Sequence, residues 1–510
     1  MGSFASVDMI SVDLLVIGGG INGVGIARDA AGRGLQVFLC EQGDLAQHTS
    51  SASTKLIHGG LRYLETYDFK LVRHALIERE VLLRSAPHII WPLRFVLPYH
   101  RELRPRWLIR AGLFLYDHMG GRKILPGSKG VDLTTHVAGN ALREGFTHGF
   151  EYSDCGVQDS RLVVLNAMDA EQRGATIRTR TACTGLERRS SDWLVSLEDQ
   201  RTGDRIKIRA KAVVNAAGPW VEQVLNLYTG GQPGYRVRLV KGSHIVVPRL
   251  FDHHYPYLFQ NSDGRVLFAI PYEEKFTLLG TTDVELDSIP TQLKISDQEV
   301  AYICEAASGY FKKAVRSEDI VWSYSGVRPL FDDAAQTASN VTRDYHLRLD
   351  QEGAPLLSVF GGKVTTYRRL AEETLDLLAR PLSLREPHWT STSHLPGGDF
   401  ADGNFEGFVA ECQRRFPGLP GMLLHDYCRN YGTRIYQILE GCQQTRDLGR
   451  HFGGLLYARE VAYLMEHEYA ETAEDVLWRR SKKGLRLSRQ EASDLAEWMA
   501  KTTPHGERNP

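Results

Sequence analysis

The sequence predicts an α/β protein in which a domain built on a parallel sheet is joined to a mixed-sheet domain and followed by a helical C-terminal domain. Three observations support this fold class. An apolar segment at residues 14–17 stops at Gly18-Gly19-Gly20, β-branched residues are enriched at residues 237–247 and 266–270, and apolar residues recur at i, i+3 and i+4 within residues 405–508. Because the chain has 510 residues, it is long enough for roughly two to four domains.

The N-terminal segment predicts a β-α-β unit. Residues 14–17 have the continuous apolar character of a buried parallel strand, and residues 21–33 have the apolar spacing of a helix. Residues 35–40 are apolar again and form the next strand. The glycine turn therefore joins a strand directly to a helix.

Later segments predict further helices and strands. Helical spacing is present at residues 71–84 and 107–116. Residues 210–216 read as another apolar strand, which leads into Gly218-Pro219. The β-branched segments that follow are typical of a mixed sheet, and we expect them to form a second, substrate-facing part of the protein.

A turn-rich cluster divides the chain near residue 395. Its sequence is Leu395-Pro396-Gly397-Gly398-Asp399, which is typical of a domain boundary. We expect a first, discontinuous unit at residues 1–395, with substrate-domain insertions at about residues 75–160 and 235–345, and a helical C-terminal domain at residues 396–510.

The composition restricts the class of protein. Hydrophobic residues make up 42% and charged residues 24%, as in folded soluble chains, and the net charge of -1 provides no general attraction to nucleic acid. The seven cysteines are widely spaced and contain no C-x-x-C pair, which indicates a reducing compartment without structural zinc. No apolar segment reaches the roughly 18 residues of a transmembrane helix, and the first residues lack the basic region of a secretory signal. We expect a soluble or peripheral protein.

The glycine turn matches the dinucleotide-binding pattern G-x-G-x-x-G, in which Gly18, Gly20 and Gly23 let the backbone approach a pyrophosphate at a helix N-terminus. Glu41 lies 18 residues after Gly23, at the end of the second strand. A carboxylate at this position accepts a hydrogen bond from an adenosine ribose hydroxyl. The pattern and its context predict a dinucleotide site, which NAD and FAD would both satisfy.

Three further polar segments favour FAD over NAD. One follows Glu41 and contains Ser50, Ser51, Ser53, Lys55, His58, Gly59 and Gly60. The others follow distant strands, at Gly218 and at Gly361-Gly362-Lys363-Val364-Thr365. Two distant glycine turns that return to one ligand suit an extended FAD better than an exchangeable NAD.

These segments also carry a family resemblance. The stretch Ser50-Ser51-Ala52-Ser53-Thr54-Lys55-Leu56-Ile57-His58-Gly59-Gly60-Leu61-Arg62-Tyr63-Leu64 closely resembles the signature of the FAD-dependent, respiratory glycerol-3-phosphate dehydrogenases of bacteria. The agreement continues through Lys241-Gly242-Ser243-His244, Gly280-Thr281-Thr282-Asp283, Tyr324-Ser325-Gly326-Val327-Arg328-Pro329-Leu330 and Phe360-Gly361-Gly362-Lys363. It covers nearly the whole chain in family order.

The resemblance implies a Rossmann-like FAD-binding fold of the glycine oxidase and D-amino-acid oxidase type with a helical C-terminal cap. It implies oxidation of sn-glycerol 3-phosphate to dihydroxyacetone phosphate by hydride transfer from C2 to tightly bound FAD. It also implies ubiquinone or menaquinone as electron acceptor and peripheral attachment to the cytoplasmic side of the inner membrane. A homodimer is a further expectation.

Together, the fingerprint and the resemblance give a set of expected FAD contacts: Gly18, Gly20, Asn22, Gly23, Glu41, Ser50, Ser51, Ser53, Lys55, His58, Gly59, Gly218, Gly361, Gly362, Lys363 and Thr365.

The substrate chemistry predicts a cationic end of the site. Guanidinium groups match phosphate oxygens bidentately and remain charged, so arginines are the expected phosphate ligands. The family pattern places the substrate contacts at Arg62, Tyr63, His244, Arg328, Arg343 and Lys363. Arg343 is adjacent to Asp344, which is an alternative partner for its charge.

The predicted reaction needs a proton acceptor near C2, and histidine titrates in the suitable range. We favour His58 as the base because it adjoins Gly59-Gly60, and we expect His244 to orient the substrate. The two roles are interchangeable at this point. Lys363 is expected to stabilise the charge of the reduced flavin. No histidine has metal-ligand spacing such as H-E-x-x-H, so no catalytic metal is predicted.

Two basic segments have other possible roles. Residues 94–110 place five arginines among aromatic and aliphatic residues with the single acid Glu102, a composition that suits either an anionic bilayer or a solvated loop. The segment with Arg479, Arg480, Lys482, Lys483, Arg486 and Arg489 is expected to form a solvated helix face, and it could also support membrane docking or a subunit contact.

Three alternative functions remain open at this point. The first is an oxidase that passes its electrons to oxygen, and the second is an FAD-dependent amine or amino-acid oxidase. The third is a flavin-binding protein without catalytic activity.

Overall fold

The structure is a computed structural model that describes residues 9–65, 67–229, 237–261, 263–331 and 344–502. Arg343, one of the predicted substrate ligands, lies outside the described residues. The strands of the described part are β1 Met9–Ile17, β2 Val37–Cys40, β3 Leu56–Ile57, β4 Ile90–Pro98, β5 Lys129–Asp132, β6 His148–Val157, β7 Thr176–Arg178, β8 Thr181–Arg188, β9 Trp193–Asp199, β10 Arg205–Asn215, β11 Val237–Pro248, β12 Tyr257–Gln260, β13 Val266–Tyr272, β14 Phe276–Gly280, β15 Val284–Leu286, β16 Trp322–Phe331, β17 His346–Asp350, β18 Leu356–Phe360, β19 His451–Gly453 and β20 Leu456–Tyr457.

The α-helices of the same residues are α1 Ile21–Gly32, α2 Phe69–Ser85, α3 Arg106–Met119, α4 Asp159–Gln172, α5 Val221–Thr229, α6 Asp297–Tyr310, α7 Tyr367–Leu378, α8 Phe405–Arg415, α9 Gly421–Tyr431, α10 Ile435–Ile438, α11 Ala458–His467 and α12 Arg489–Thr502. A π-helical turn covers Asp475–Arg480.

The first sheet has a parallel centre. Its order is β17-β18-β10-β1-β2-β7, and β1 pairs in parallel with both β2 and β10. Helix α1 connects β1 to β2 and packs against α4 and α7, and its apolar face joins the core that the sheet residues form. The predicted β-α-β unit is confirmed. The carboxyl ends of β1, β2 and β10 meet at one edge, which is where such sheets bind ligands.

The second sheet is larger and mostly antiparallel. Its order is β15-β11-β14-β13-β12-β4-β6-β3, with β16 added to β11 and β5 added to β6. Strand β16 pairs with β11 along its whole length, so that His244 lies opposite Tyr324 and Val240 opposite Arg328. This register fixes the positions of two predicted substrate ligands relative to each other.

The C-terminal part is helical, as predicted. Helices α8 to α12 surround a separate apolar core that includes Phe408, Leu424, Ile435 and Leu464. The short sheet formed by β19 and β20 was not predicted, because strands of two or three residues have no readable periodicity. The separate core supports our proposal of a domain boundary near residue 395, which stays a prediction.

The predicted solvated helix face in the C-terminal domain is wrong. Arg479, Arg480, Lys482 and Lys483 are all buried. The Asp44 carboxylate accepts hydrogen bonds from Arg479 Nε and Arg480 Nη1, each at 2.6 Å. Lys483 Nζ pairs with Glu460 at 2.6 Å, and Asp426 is a further partner. The basic residues are buried because acidic partners lie far away in sequence, which a local charge pattern does not reveal.

None of the helices in the described part of the chain combines the length and the apolar character that a bilayer-spanning helix requires.

A buried histidine in the turn between α2 and β4 should make the stability of the protein depend on pH. The His88 ring has no solvent exposure, and neither ring nitrogen has a hydrogen-bond partner within the described residues. Burial, and then the charges of Arg161 and Arg429, hold the pKa of His88 well below its usual 6.5. The folded protein therefore keeps a neutral ring at pH values where the unfolded chain binds a proton.

We expect the free energy of unfolding to fall as the pH drops below 6.5, by up to about 1.4 kcal/mol per pH unit for this one group. Replacing His88 with leucine removes this contribution. Urea unfolding of both proteins at several pH values between 7.5 and 5 measures it, and the variant should show the smaller slope. Equal slopes would contradict the prediction.

Candidate active site

Two adjoining cavities lie between the sheets. A cavity of about 280 Å³ is lined by the ends of β1, β2 and β10. A cavity of about 480 Å³ is lined by the segments on either side of β3 and by residues of the second sheet. Thr49, Pro329, Gly361, Gly362 and Val364 line both cavities. An elongated ligand can therefore extend from the glycine turn into the larger cavity.

The glycine turn depends on close backbone packing. Gly18 has a φ of +115°, and a Cβ atom there would lie 2.5 Å from the carbonyl oxygen of Ala216 in the neighbouring chain segment. A Cβ atom at Gly23 would overlap the carbonyl oxygen of Gly18. Both glycines are needed to bring β1, α1 and β10 together.

Polar groups around the smaller cavity are suited to a dinucleotide. Glu41 accepts hydrogen bonds from the amides of Gly19 at 2.6 Å and Gly43 at 2.8 Å, and burial raises the pKa of its carboxyl group. The hydroxyl of Ser50 accepts from the amide of Ile21 at 3.0 Å, at the start of α1. These contacts fix the carboxylate of Glu41 against the glycine turn and place the hydroxyl of Ser50 at the N-terminus of α1.

Asn22 links the turn to the third polar segment. Its Nδ2 donates to the carbonyl of Gly361 at 3.1 Å, and a Cβ atom at Gly362 would lie 2.7 Å from that nitrogen. The Oδ1 atom of Asn22 is buried and accepts no hydrogen bond from any described residue. An unsatisfied buried acceptor in a ligand cavity is a position for a ligand donor. The residues present therefore fit an FAD molecule.

Arg328 is a cation of the larger cavity that two polar side chains hold. It forms an ion pair with Asp283, and its Nη2 donates to the hydroxyl of Thr281 at 3.1 Å. A Cβ atom at Gly242 would collide with the guanidinium group, so the glycine makes room for it. The pair is about a quarter exposed, which leaves the guanidinium accessible from the cavity.

Two more predicted cations line the same cavity. Lys363 Nζ lies 3.9 Å from the centroid of the Tyr63 ring, a cation-π contact that orients the ammonium group. Arg62, Tyr63 and Lys363 are all lining residues. Together with Arg328 they place three cationic side chains and a hydroxyl at one cavity, a composition suited to an anion, and we call this set the anion-binding wall.

His58 follows β3 directly and lines the larger cavity. Its amide donates to the hydroxyl of Thr365 at 3.3 Å, and its ring is 6.3 Å from the ring of Phe268. The next amide, of Gly59, donates to the hydroxyl of Tyr116 at 2.8 Å and to Asp154 at 3.2 Å. The backbone on both sides of the histidine is therefore fixed by hydrogen bonds.

His244 is buried in β11 and lines the larger cavity. Its Nε2 lies 3.0 Å from the hydroxyl of Thr54, and its Nδ1 has no partner among the described residues. Burial, and then the charges of Arg328 and Lys55, hold the pKa of His244 well below its usual 6.5. The ring is therefore neutral at physiological pH.

Some predicted FAD contacts do not line either cavity. Gly23, Ser51, Lys55 and Gly59 support the residues that do, and Lys55 is buried in an ion pair with Asp159 at 2.6 Å. The lining residues among the predicted contacts are Gly18, Gly20, Asn22, Glu41, Ser50, Ser53, His58, Gly218, Gly361, Gly362, Lys363 and Thr365.

Sequence reasoning missed several lining residues. Thr281 and Asp283 belong to a quoted family motif, so the motif itself was the available signal. Phe268, Tyr152 and Gln260 lie on strands of the second sheet and give no local signal, because their place in the cavity depends on sheet pairing.

Comparison with known proteins gives two family matches. The model of the FAD dependent oxidoreductases matches residues 13–368, and the model of the C-terminal domain of alpha-glycerophosphate oxidase matches residues 388–505.

Two curated relatives are similar over nearly their whole lengths. The chain is 51% identical to a glycerol-3-phosphate dehydrogenase of Pseudomonas aeruginosa, over 97% of this chain and 96% of the relative. It is 50% identical to a D-erythritol 1-phosphate dehydrogenase of Brucella abortus, over 95% of this chain and 97% of the relative.

Two solved structures are similar in fold. The glycerol-3-phosphate dehydrogenase of Bacillus halodurans complexed with FAD has a TM-score of 0.74 at 26% identity, over 98% of this chain and 97% of that chain. The glycine oxidase of Geobacillus kaustophilus has a TM-score of 0.54 at 20% identity, over 75% of this chain and 97% of that chain. The predicted fold type is confirmed.

Proposed function

Since the chain belongs to the family of FAD dependent oxidoreductases, we propose that it oxidises sn-glycerol 3-phosphate to dihydroxyacetone phosphate. The observation that carries this proposal is the meeting of Arg62, Arg328 and Lys363 with His58 and His244 in one cavity, which opens on the dinucleotide cavity. The similarity to glycerol-3-phosphate dehydrogenases over nearly the full chain supports the same substrate.

The residues that would hold FAD are those that line the smaller cavity, with Glu41 on the ribose side and Asn22, Gly361 and Gly362 toward the larger cavity. FAD supplies the hydride acceptor when it is bound. The chain's own residues bind the substrate, orient C2 and accept the hydroxyl proton.

Charge complementarity defines the role of the anion-binding wall. The phosphate dianion needs at least two cations in a partly dehydrated site. Arg328 offers a fixed guanidinium edge, because its partner Asp283 and Thr281 hold it in one orientation. Arg62 and Lys363 approach the same cavity from other segments. We include Arg343 in the proposed set from the family pattern alone.

We propose His58 as the base that accepts the C2 hydroxyl proton. Its backbone is held on both sides, and it lies in the cavity beside Lys363 and Thr365. We assign His244 to substrate orientation, because its lowered pKa makes it a weak base and Thr54 already holds its ring. A neutral imidazole can also accept a proton, so a test is needed to separate the two histidines.

A second candidate substrate is D-erythritol 1-phosphate. One relative that bears this activity in its name is as similar to the chain as the glycerol-3-phosphate dehydrogenase of Pseudomonas aeruginosa. The larger cavity continues beyond the anion-binding wall to Glu65, Arg104 and Gln260, whose polar groups suit additional hydroxyls. Both substrates share the phosphate and a secondary alcohol, so the same residues would serve both.

The test is anaerobic reduction of the purified, yellow holoprotein. Addition of sn-glycerol 3-phosphate is expected to lower the flavin absorbance at about 450 nm, whereas glycerol and amino acids should leave it unchanged. D-erythritol 1-phosphate is the parallel arm, and the ratio of the two second-order rate constants decides between the candidates. No bleaching by either phosphate ester would refute the proposed function.

We further propose a quinone as electron acceptor and peripheral attachment to the cytoplasmic side of the inner membrane. Hydrogen peroxide yield in air separates this proposal from the oxidase alternative, since a quinone-linked enzyme should give little peroxide and should turn over with a soluble quinone. A homodimer remains an expectation.

The surface around α3 supports membrane attachment. The side chains of Trp107 and Phe114 on this helix are 71% and 55% exposed, and Tyr67, just before α2, and Phe69, its first residue, are also exposed. Arg94, which the sequence grouped with this segment, is instead paired with Glu151 at 2.6 Å. The exposed basic residues next to the aromatic side chains suit an anionic interface.

Replacing both Trp107 and Phe114 with serine should weaken binding to anionic phospholipid vesicles by at least about tenfold. Burying one large apolar side chain contributes about 1.5–3 kcal/mol, and a factor of ten corresponds to about 1.4 kcal/mol. Vesicle sedimentation measures the partition. Met422→Ser is the control, because this side chain is equally exposed but belongs to α9. Unchanged partition of the double variant would contradict this attachment surface.

A further inference from the structure

Four aromatic rings form a continuous row from the C-terminal domain to His244. Trp478, in the π-helical turn, stacks on Trp322 with ring centroids 4.7 Å apart and planes 22° apart. Trp322 packs against Tyr324 at 4.9 Å. Tyr324 in turn stacks on His244 at 4.9 Å with planes 17° apart. The row therefore connects a distant domain to a ring that lines the candidate active site.

The third ring of the row is held on several sides. The hydroxyl of Tyr324 donates to the carbonyl of Ser53 at 2.8 Å, and Lys55 Nζ lies 4.6 Å from the ring centroid. Lys55 is paired with Asp159, which also accepts from the hydroxyl of Ser53 at 2.7 Å. These contacts leave the Tyr324 ring little freedom to rotate.

The same short segment also holds His244. Thr54 lies between Ser53 and Lys55, and its hydroxyl is the group 3.0 Å from His244 Nε2. His244 is therefore fixed at its edge by Thr54 and on its face by Tyr324. Rotation of the imidazole about its side-chain bonds would break both contacts.

The C-terminal domain fixes the other end of the row. Lys482 is buried, donates to the carbonyl of Trp478, and lies 3.5 Å from the hydroxyl of Ser160, the residue after Asp159. The neighbouring Arg479 and Arg480 are tied to Asp44. A Cβ atom at Gly484 would lie 2.6 Å from the Trp478 ring, so the following turn packs directly on the indole.

We propose that Tyr324 is a positioning residue that fixes the orientation of His244, and that Trp322 and Trp478 extend this support into the C-terminal domain. The inference rests on the proposed function in one respect, namely that His244 contacts the substrate. It gives the C-terminal domain a role in the reaction, although the domain contributes no residue to the lining of either cavity among the described residues.

The kinetic test uses the rate constant for anaerobic flavin reduction. We expect Tyr324→Leu to lower it by about 10- to 100-fold, since a small displacement of a substrate-orienting group has effects of this size. Trp478→Leu should lower it by about two- to tenfold, which corresponds to the loss of one aromatic pair. Tyr324→Phe retains the stacked ring and should recover most of the rate.

A double-mutant cycle separates positioning from a general loss of structure. In a His244→Ala background, Tyr324→Leu and Trp478→Leu should cause no further loss, because their effect passes through the imidazole. Trp498→Leu is the matched control, since Trp498 belongs to the same domain but packs on Phe452. It should not change the rate constant in either background. Full additivity with His244→Ala would overturn the proposal.

A spectroscopic measurement tests the same inference without substrate. In the holoprotein labelled with ¹³C-histidine, the His244 Cε1–H signal is assigned by its loss in His244→Ala. A ring stacked on Tyr324 shifts this signal upfield, and we expect Tyr324→Leu and Trp478→Leu to move it downfield whereas Trp498→Leu leaves it in place. An unmoved signal in Tyr324→Leu would overturn the proposal. A moved signal together with a flavin that no phosphate ester reduces would refute only the proposed function.

Discussion

Replacing Arg328 with alanine should lower kcat/KM for sn-glycerol 3-phosphate by about a hundredfold to a few thousandfold. Truncating one partner of a hydrogen-bonded charge pair in a binding site, here the proposed pair of Arg328 and the phosphate, costs about 2–5 kcal/mol, and each 1.4 kcal/mol corresponds to about a factor of ten. Here the loss has two parts. The variant lacks a proposed phosphate ligand, and it removes the positive charge beside the Asp283 carboxylate, which lines the cavity that the phosphate must enter.

Two companion variants separate these parts. Arg328→Lys keeps the charge but loses the planar edge that contacts Asp283 and Thr281, so it should recover only part of the activity. In an Arg328→Ala background, Asp283→Asn removes the repulsion and should restore some affinity for the phosphate. Steady-state kinetics give kcat/KM for each variant. Flavin reduction at a series of substrate concentrations gives its affinity for the phosphate ester.

Arg238 provides the matched control for this experiment. It lies on β11 opposite β16, forms an ion pair with Glu285 at 2.6 Å, and is not among the residues that line the cavity. Arg238→Ala should therefore leave kcat/KM unchanged within about twofold, the range of a surface ion pair. If Arg328→Ala were as active as Arg238→Ala, Arg328 would not bind the phosphate.

The sequence was most informative at positions where backbone geometry or the required charge restricts the residue type. The G-x-G-x-x-G pattern predicted the turn at Gly18 and Gly23 because overlap with neighbouring carbonyl groups excludes any side chain there. The motif residues Arg328 and Lys363, which line the larger cavity, could be proposed from the sequence because the charge that a phosphate requires restricts the residue type. Both signals are local, so they can be read from a short segment.

Long-range partners were less predictable. The burial of Arg479 and Arg480 depends on Asp44, more than 400 residues earlier, as the sequence separations of 435 and 436 show. The stack of Trp478 on Trp322 likewise depends on how the C-terminal domain packs on the second sheet. A charge pattern or a single aromatic residue does not specify such a partner, because the information lies in the tertiary fold.

The second large effect is expected at His58. Replacing His58 with alanine should lower kcat by about 10²- to 10⁴-fold, because a positioned general base contributes acceleration of this size. KM should change little, since Arg62, Arg328 and Lys363, the proposed phosphate ligands, remain in place. Single-turnover flavin reduction measures the chemical step directly, and His74→Ala is the control because His74 lines neither cavity.

The pH dependence of kcat/KM shows which of the two histidines, His58 or His244, is the base. If His244 were the base, activity would be lost as the pH falls through its pKa, which burial holds well below 6.5. An acid limb of kcat/KM at or above pH 6.5 would therefore come from another group. A large loss of kcat in His58→Ala combined with such a limb supports His58 as the base. Normal turnover of His58→Ala would exclude this assignment and transfer the role to His244, whose neutral ring is already held by Thr54 and Tyr324.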